Sequence, residues 1–224
     1  MYPARRGVYA AARASALAGV PLRTLYEWAQ QEVVTPSVSP EKVKLWSWSD
    51  LVAARAVYWL RHPQDERKPT PMRQVRSLIE RIEAEELSLG QALTSHSVVL
   101  SVDPSGIPHV ETKGMLTEAG AGWRQRVSGE VTQDILHAFS IEDGIVGPHL
   151  LTPAQGLSII PGKLAGEPHV RDTRIETRVL CALRERGYRL DQLFALYPDA
   201  TEVSIKRAIR LERQLQRNES RLAA

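Results

Sequence analysis

Between Ala10 and Ala18 the chain is nearly all small apolar residues, interrupted by Arg13 and Ser15, a composition that favours helix. Gly19 follows, where a left-handed backbone ends a helix at little cost. Pro21 then stands at the first position of a second helix, in which Leu22, Leu25 and Trp28 recur at three-residue spacing and share one face. Arg23, Thr24, Tyr26 and Glu27 are left facing outward, and Trp28, on the apolar stripe, reads as core rather than as a base-stacking side chain. After Pro36 and Pro40 the alternating run Val43-Lys44-Leu45-Trp46-Ser47-Trp48 predicts a short hairpin or wing, with Trp46 and Trp48 on one face. Ser49 is expected to cap a third helix from about Asp50 to Arg61. A fourth runs from about Pro71 to Glu86, after the polar, proline-containing stretch from His62 to Thr70.

Further along the period changes. Ser97 to Val102 and Ile107 to Thr112 are β-rich runs on either side of the turn sequence Asp103-Pro104-Ser105-Gly106, which predicts a hairpin. The stretch from Gly144 to Gly166 holds three prolines and five glycines and has no helical period, so a domain boundary is expected near residue 155. Three helices follow: Arg178 to Arg186, closed by Gly187; Leu190 to Leu196, stopped before Pro198; and a long one capped by Thr201 and running to about Asn218. The fold class expected is mainly α with small β elements. A winged helix-turn-helix would occupy residues 1–88, a small mixed α/β region 89–155, and a three-helix module 156–224.

Charge divides the chain the same way. Residues 1–76 carry 12 basic and 6 acidic side chains, net +6; residues 77–155 carry 4 and 11, net −7; residues 156–224 carry 13 and 9, net +4. Nucleic-acid binding by one or both ends leaves such a footprint, and so does plain solvation of charged surfaces. The lone cysteine, Cys181, excludes a disulfide framework and a thiolate-rich zinc site, which points to a reducing compartment. Arg5 and Arg6 precede the stretch from Val8 to Val20, but Arg13 and Ser15 interrupt it, so it reads as an amphipathic helix rather than a signal-peptide core. With no apolar run of about 18 residues, the expectation is a cytoplasmic protein without a membrane span.

A short helix, a tight turn and a second helix with a polar outer face are the parts of a helix-turn-helix, whose second helix enters the DNA major groove. The order of helix, turn, helix, wing and further helix sharpens this. On Gly19-Val20-Pro21, Thr24-Leu25, Glu27-Trp28, Pro36 and the junction Trp46-Ser47-Trp48-Ser49-Asp50-Leu51, residues 8–86 resemble the MerR-like winged-helix family. The resemblance implies that Arg23, Thr24 and Tyr26 approach DNA while Lys42 and Lys44 on the wing meet phosphates. Phosphate contacts supply affinity and register, and only groups that reach base edges supply sequence preference. Tyr26 stands where that family commonly has a basic residue, and Leu45 where an arginine often sits. A winged helix that binds protein instead of DNA is the alternative.

The string Gly162-Lys163-Leu164-Ala165-Gly166-Glu167-Pro168-His169-Val170-Arg171-Asp172-Thr173-Arg174-Ile175 is dense in turn formers and runs into helices. With Gly187, Tyr197-Pro198 and the helix after Thr201, it resembles the antitoxin-associated family known as domain of unknown function 433. Asp172 stands where that family usually has glycine; if the position needs positive φ, Asp is among the few residues that tolerate it. Arg174 either meets a partner or phosphate, or pins turn carbonyls to the helical module. The resemblance implies a VapB-like type II antitoxin that neutralises a PIN-type ribonuclease and represses its own operon, as a homodimer on operator DNA. Such a nuclease holds its metal with clustered carboxylates, so a basic side chain presented to them would silence it. In the last helix Leu211 and Leu215, four apart, with Arg207, Arg210, Arg213 and Arg217 around them, could dock on the toxin, or the helix could pack on its own module or pair with a second copy. A stand-alone DNA-binding regulator is the alternative function.

Catalytic patterns are thin. His169-Val170-Arg171-Asp172 and His62-Pro63-Gln64-Asp65 each pair a histidine with an aspartate in a polar, turn-rich stretch without a second ligand cluster. No phosphate-binding loop, dinucleotide fingerprint or nucleophile elbow occurs, and Gly114, Gly120 and Gly122 lack the strand-then-helix setting of a phosphate cradle. His109, His137 and His149 read as surface or core residues. Neither catalysis nor a metal or cofactor is expected.

Overall fold

A computed structural model describes residues 7–62, 68–84, 86–95, 98–112, 134–141 and 145–222. They form a mainly helical chain with four small two-stranded antiparallel sheets. The alanine-rich segment makes α1 (Ala11–Ala18), and Gly19, at φ 67°, turns the chain while its N–H returns to the Ser15 carbonyl at 2.8 Å. Pro21 sits just outside α2 (Leu22–Gln30) rather than inside it. Leu25 and Trp28 are buried, and Leu22 packs against the same core.

The alternating run makes a smaller sheet than expected, with a partner that periodicity did not reveal. The two-residue strands β1 (Tyr9–Ala10) and β2 (Leu45–Trp46) pair antiparallel, Tyr9 opposite Trp46, and Ser39 bridges Leu45 from the other side. Trp46 and Trp48 are both buried, so the two indoles are packing groups. Helix α3 (Trp48–Arg61) starts before Ser49: its cap is Ser47, whose Oγ accepts from the Asp50 N–H at 3.2 Å while Asp50 Oδ2 accepts from the Ser47 N–H at 2.7 Å. That reciprocal pair satisfies two free donors of the first turn, which Ser49 alone could not do. Burial of every residue from Trp48 to Leu60 makes α3 the central helix.

Helix α4 (Met72–Glu83) buries Val75, Leu78, Ile79 and Ile82. The short helix α5 (Leu89–Thr94), absent from the sequence reading, begins with a capping box of Ser88 and Gln91. It crosses α3 closely: a Cβ on Gly90 would stand 1.9 Å from the Ser49 carbonyl oxygen, so only glycine fits. The expected hairpin is present as β3 (Val98–Val102) and β4 (Pro108–Thr112), its turn held by Asp103 Oδ1, which accepts from the Ile107 N–H at 2.9 Å.

A third sheet joins β5 (Phe139–Ile141) to β6 (Ile145–Gly147), and a fourth joins β7 (Leu157–Ser158) to β8 (His169–Val170). Between β7 and β8 the chain makes a left-handed turn, Leu164–Gly166, with all three residues at positive φ. After β8, Asp172 lies at φ 61°, the conformation that a glycine would otherwise serve. Three helices close the chain: α6 (Thr177–Glu185), α7 (Leu190–Leu196) and α8 (Glu202–Leu222). Helix α8 packs on α6 and on α1, and one apolar cluster runs from Tyr9 through Leu215.

Candidate functional site

The contact between α8 and α1 is held by a buried ionic cluster that no local pattern announces. Arg13 of α1 reaches two carboxylates from the C-terminal third: its Nη2 donates to Glu167 Oε2 at 2.7 Å, and Nη1 and Nη2 donate to the two oxygens of Glu212 at 2.9 Å each. Thr177 Oγ1 donates to Glu212 at 2.5 Å, and the Tyr9 hydroxyl donates to the Gly166 carbonyl at 2.7 Å. Burial works against the Arg13 charge, but hydrogen bonds and attraction from Glu212 and Glu167 hold the proton more tightly than on a free arginine. A fully buried guanidinium, Arg55 of α3, donates to the last carbonyls of α1, at Leu17 and Ala18, and to the Pro148 carbonyl at 2.7 Å. It thereby satisfies acceptors that a helix C-terminus leaves open.

Turned away from this cluster, α8 presents a row of cations. Lys206, Arg210, Arg213 and Arg217 are exposed, at intervals of four, three and four residues, which places them on one face of the helix. With Arg184 of α6 they line a groove of about 360 Å³ that also includes the apolar side chains of Leu190 and Ile209. Lys206 is bonded to Glu202, and Arg184 donates to the Tyr188 carbonyl at 3.0 Å. Arg210, Arg213 and Arg217 make no hydrogen bond or ion pair with a described residue.

Two expectations for this helix are corrected. Leu211 is 5% exposed and Leu215 not at all: they face inward, in the shared core, and are closed to a partner. Amphipathic spacing marks a face that must be covered, and here the chain covers it itself. Arg207 is half-buried and spends its Nη1 on the Gln155 carbonyl at 3.1 Å and on Gln155 Oε1 at 2.6 Å, which ties α8 to the preceding loop. Arg174 is exposed and pins no described carbonyl. Its turn is held instead by Thr173, which donates to the Val170 carbonyl at 2.9 Å and accepts from the Ile175 N–H at 3.1 Å. Sequence reasoning missed Arg184 and Lys206. Lys206 was within reach, since it continues the stripe by one turn.

The α2 surface differs. Arg23 projects into solvent but is paired along the helix with Glu27 at 2.8 Å; Tyr26 is 40% exposed and Thr24 half-buried. On the wing Lys42 is exposed, while Lys44 Nζ donates to the Pro40 carbonyl at 2.8 Å.

No three His, Cys, Asp or Glu side chains converge on a possible metal position among the described residues. His169 is buried, with Nδ1 at 3.0 Å from the Glu167 carbonyl and Nε2 without a partner. His149 Nδ1 accepts from the Leu151 and Thr152 N–H groups at 3.0 and 3.1 Å, and its ring lies 5.1 Å from that of His137. His109 stands 3.5 Å from Asp103. Asp65 and the glycines at 114, 120 and 122 lie outside the described residues. No described helix is long and apolar enough to cross a membrane.

The structure is that of a mainly α chain with small antiparallel sheets, and residues 157–210, from β7 through the middle of the cation row, match the model of the family described as Protein of unknown function (DUF433). Among solved structures the chain is similar to the X-ray crystal structure of Rv2018 from Mycobacterium tuberculosis, with a TM-score of 0.53 over 90% of this chain and 96% of that one, at 14% identity. That likeness is one of fold. No curated protein matches the chain in sequence.

Proposed function

We propose that this protein is the antitoxin of a type II toxin–antitoxin pair, VapB-like, acting in the cytoplasm. Its C-terminal module covers and silences a PIN-type ribonuclease, and its N-terminal MerR-like winged helix represses the operon. The observation that carries the reading is the row Arg210, Arg213 and Arg217: three exposed guanidiniums on one helix face without a partner among the described residues. Unpaired arginines so close together repel one another, and an acidic partner relieves that repulsion while accepting bidentate hydrogen bonds. A nuclease that gathers carboxylates around Mg²⁺ or Mn²⁺ offers such a surface. The match of residues 157–210 to a family that the sequence resembles through its antitoxin-associated members supports the same reading.

The DNA-binding half rests on α2, whose outer face carries Arg23, Thr24 and Tyr26, and on Lys42 and Lys44 of the wing. Arg23 must exchange Glu27 for a phosphate, and Lys44 must leave Pro40, so a lone domain binds weakly and a homodimer on paired half-sites supplies the affinity. Co-expression with the protein encoded beside it, purification of the complex and an assay of metal-dependent RNA cleavage test the reading. A tight complex with cleavage suppressed is the expected result. Free ribonuclease activity and no complex would leave a stand-alone DNA-binding regulator.

A further inference from the structure

The cation groove of α6, α7 and α8 has a shape as well as a charge. Lys206, Arg210, Arg213 and Arg217 extend over about 16 Å at the 1.5 Å rise of a helix, with neighbours about 5–6 Å apart. Leu190, half-buried, sets an apolar patch beside them, with Ile209, 6% exposed, beneath it, and Arg184 lines the same groove. Arginine pairs as readily with phosphate as with carboxylate, so the guanidiniums alone do not choose the ligand. The rest of the groove does. A second helix repeats acidic side chains at the same four-three-four interval and can lay an apolar residue on Leu190, whereas a nucleic-acid backbone has no apolar group to offer that patch.

We infer that the groove receives an acidic amphipathic helix of the partner, its carboxylates at i, i+4, i+7 and i+11 meeting the cation row and its apolar side chain seated on Leu190. The inference rests on the antitoxin reading for which protein brings this helix, and on the groove for its chemistry. It also places Arg184, on a different helix from the row, among the residues that set specificity.

The test uses the full chain and a fluorescein-labelled peptide of about 16 residues, with glutamates at those four positions and leucines between them. Controls are the same peptide with glutamine for glutamate and a labelled DNA duplex of similar length. Fluorescence anisotropy should show the glutamate peptide binding at least about tenfold more tightly than the glutamine one. Binding should fall at least about tenfold in the triple variant R210Q/R213Q/R217Q, and measurably in R184Q. Thermal unfolding of the variants checks that they remain folded, as the exposed positions 210, 213 and 217 allow. The duplex binding more tightly than the glutamate peptide through the same arginines would overturn the inference, as would peptide affinity unchanged in the triple variant. A ribonuclease complex that forms undiminished with the triple variant defeats the groove and spares the antitoxin. Peptide binding as expected, with no ribonuclease complex from the wild-type chain, does the reverse.

Discussion

The two faces of α8 use the same kind of residue for opposite ends. Inward, Glu212, Leu215 and Asn218 are buried, and the polar groups among them have partners: Glu212 takes Arg13 and Thr177, and Asn218 Nδ2 donates to the Val146 carbonyl at 3.0 Å. Outward, Arg210, Arg213 and Arg217 stand in water. A buried charge is tolerated only when compensated, whereas an exposed one contributes little to folding and is free for recognition. One helix therefore joins the C-terminal module to α1 with one face and offers a charged surface with the other.

The sharpest way to break this contrast is at Arg13. Arg13→Met should cost about 3–5 kcal/mol, because it leaves Glu167 and Glu212 buried side by side without their cation. Urea denaturation reads the loss, and a midpoint within error of wild type would refute the structural role of the inner face. Next comes the apolar part of that face. Leu215→Ala should cost about 2–5 kcal/mol, while Arg217→Ala, two residues on, should stay within about 0.5 kcal/mol. Equal losses at the two positions would erase the distinction between the faces.

A smaller effect follows from pH. Burial lowers the proton affinity of His149, with His137 and Arg55 adding to it, and burial also lowers that of His169 against a hydrogen bond to the Glu167 carbonyl. The unfolded chain thus binds more protons than the folded one below about pH 6.5, so stability should fall as the pH drops through that value. Urea midpoints taken from about pH 7.5 to about pH 5.5 should decline, and less steeply in His149→Gln. A flat profile in the wild type would contradict the assignment. The smallest effect is expected at α2: Arg23→Ala should reduce the slope of log K against log salt for operator DNA by about 0.9, one phosphate contact, with stability unchanged. An unaltered slope would remove Arg23 from the proposed DNA surface.

What was legible in the sequence was local. Leu190–Leu196 and the turn at Asp172 emerge where expected because caps, glycines and turn formers act within a few residues. Helix α3 is capped by Ser47 rather than Ser49 because Asp50, three residues after Ser47, completes a capping box, and the box of Ser88 and Gln91 equally marks the start of α5. The bonds of Arg13 to Glu167 and Glu212 span 154 and 199 residues and leave no periodic trace. The same stripe that marked Leu211 and Leu215 as an interface marks a helix packed on its own chain, and only the position of α1 decides between them.

The most direct test titrates wild-type chain and R210A/R213A/R217A against the proposed PIN-type ribonuclease partner, following RNA cleavage, with thermal unfolding measured in parallel. The account predicts that the variant unfolds like wild type yet fails to suppress cleavage at concentrations where the wild type suppresses it fully. Undiminished inhibition by a normally folded variant would contradict it.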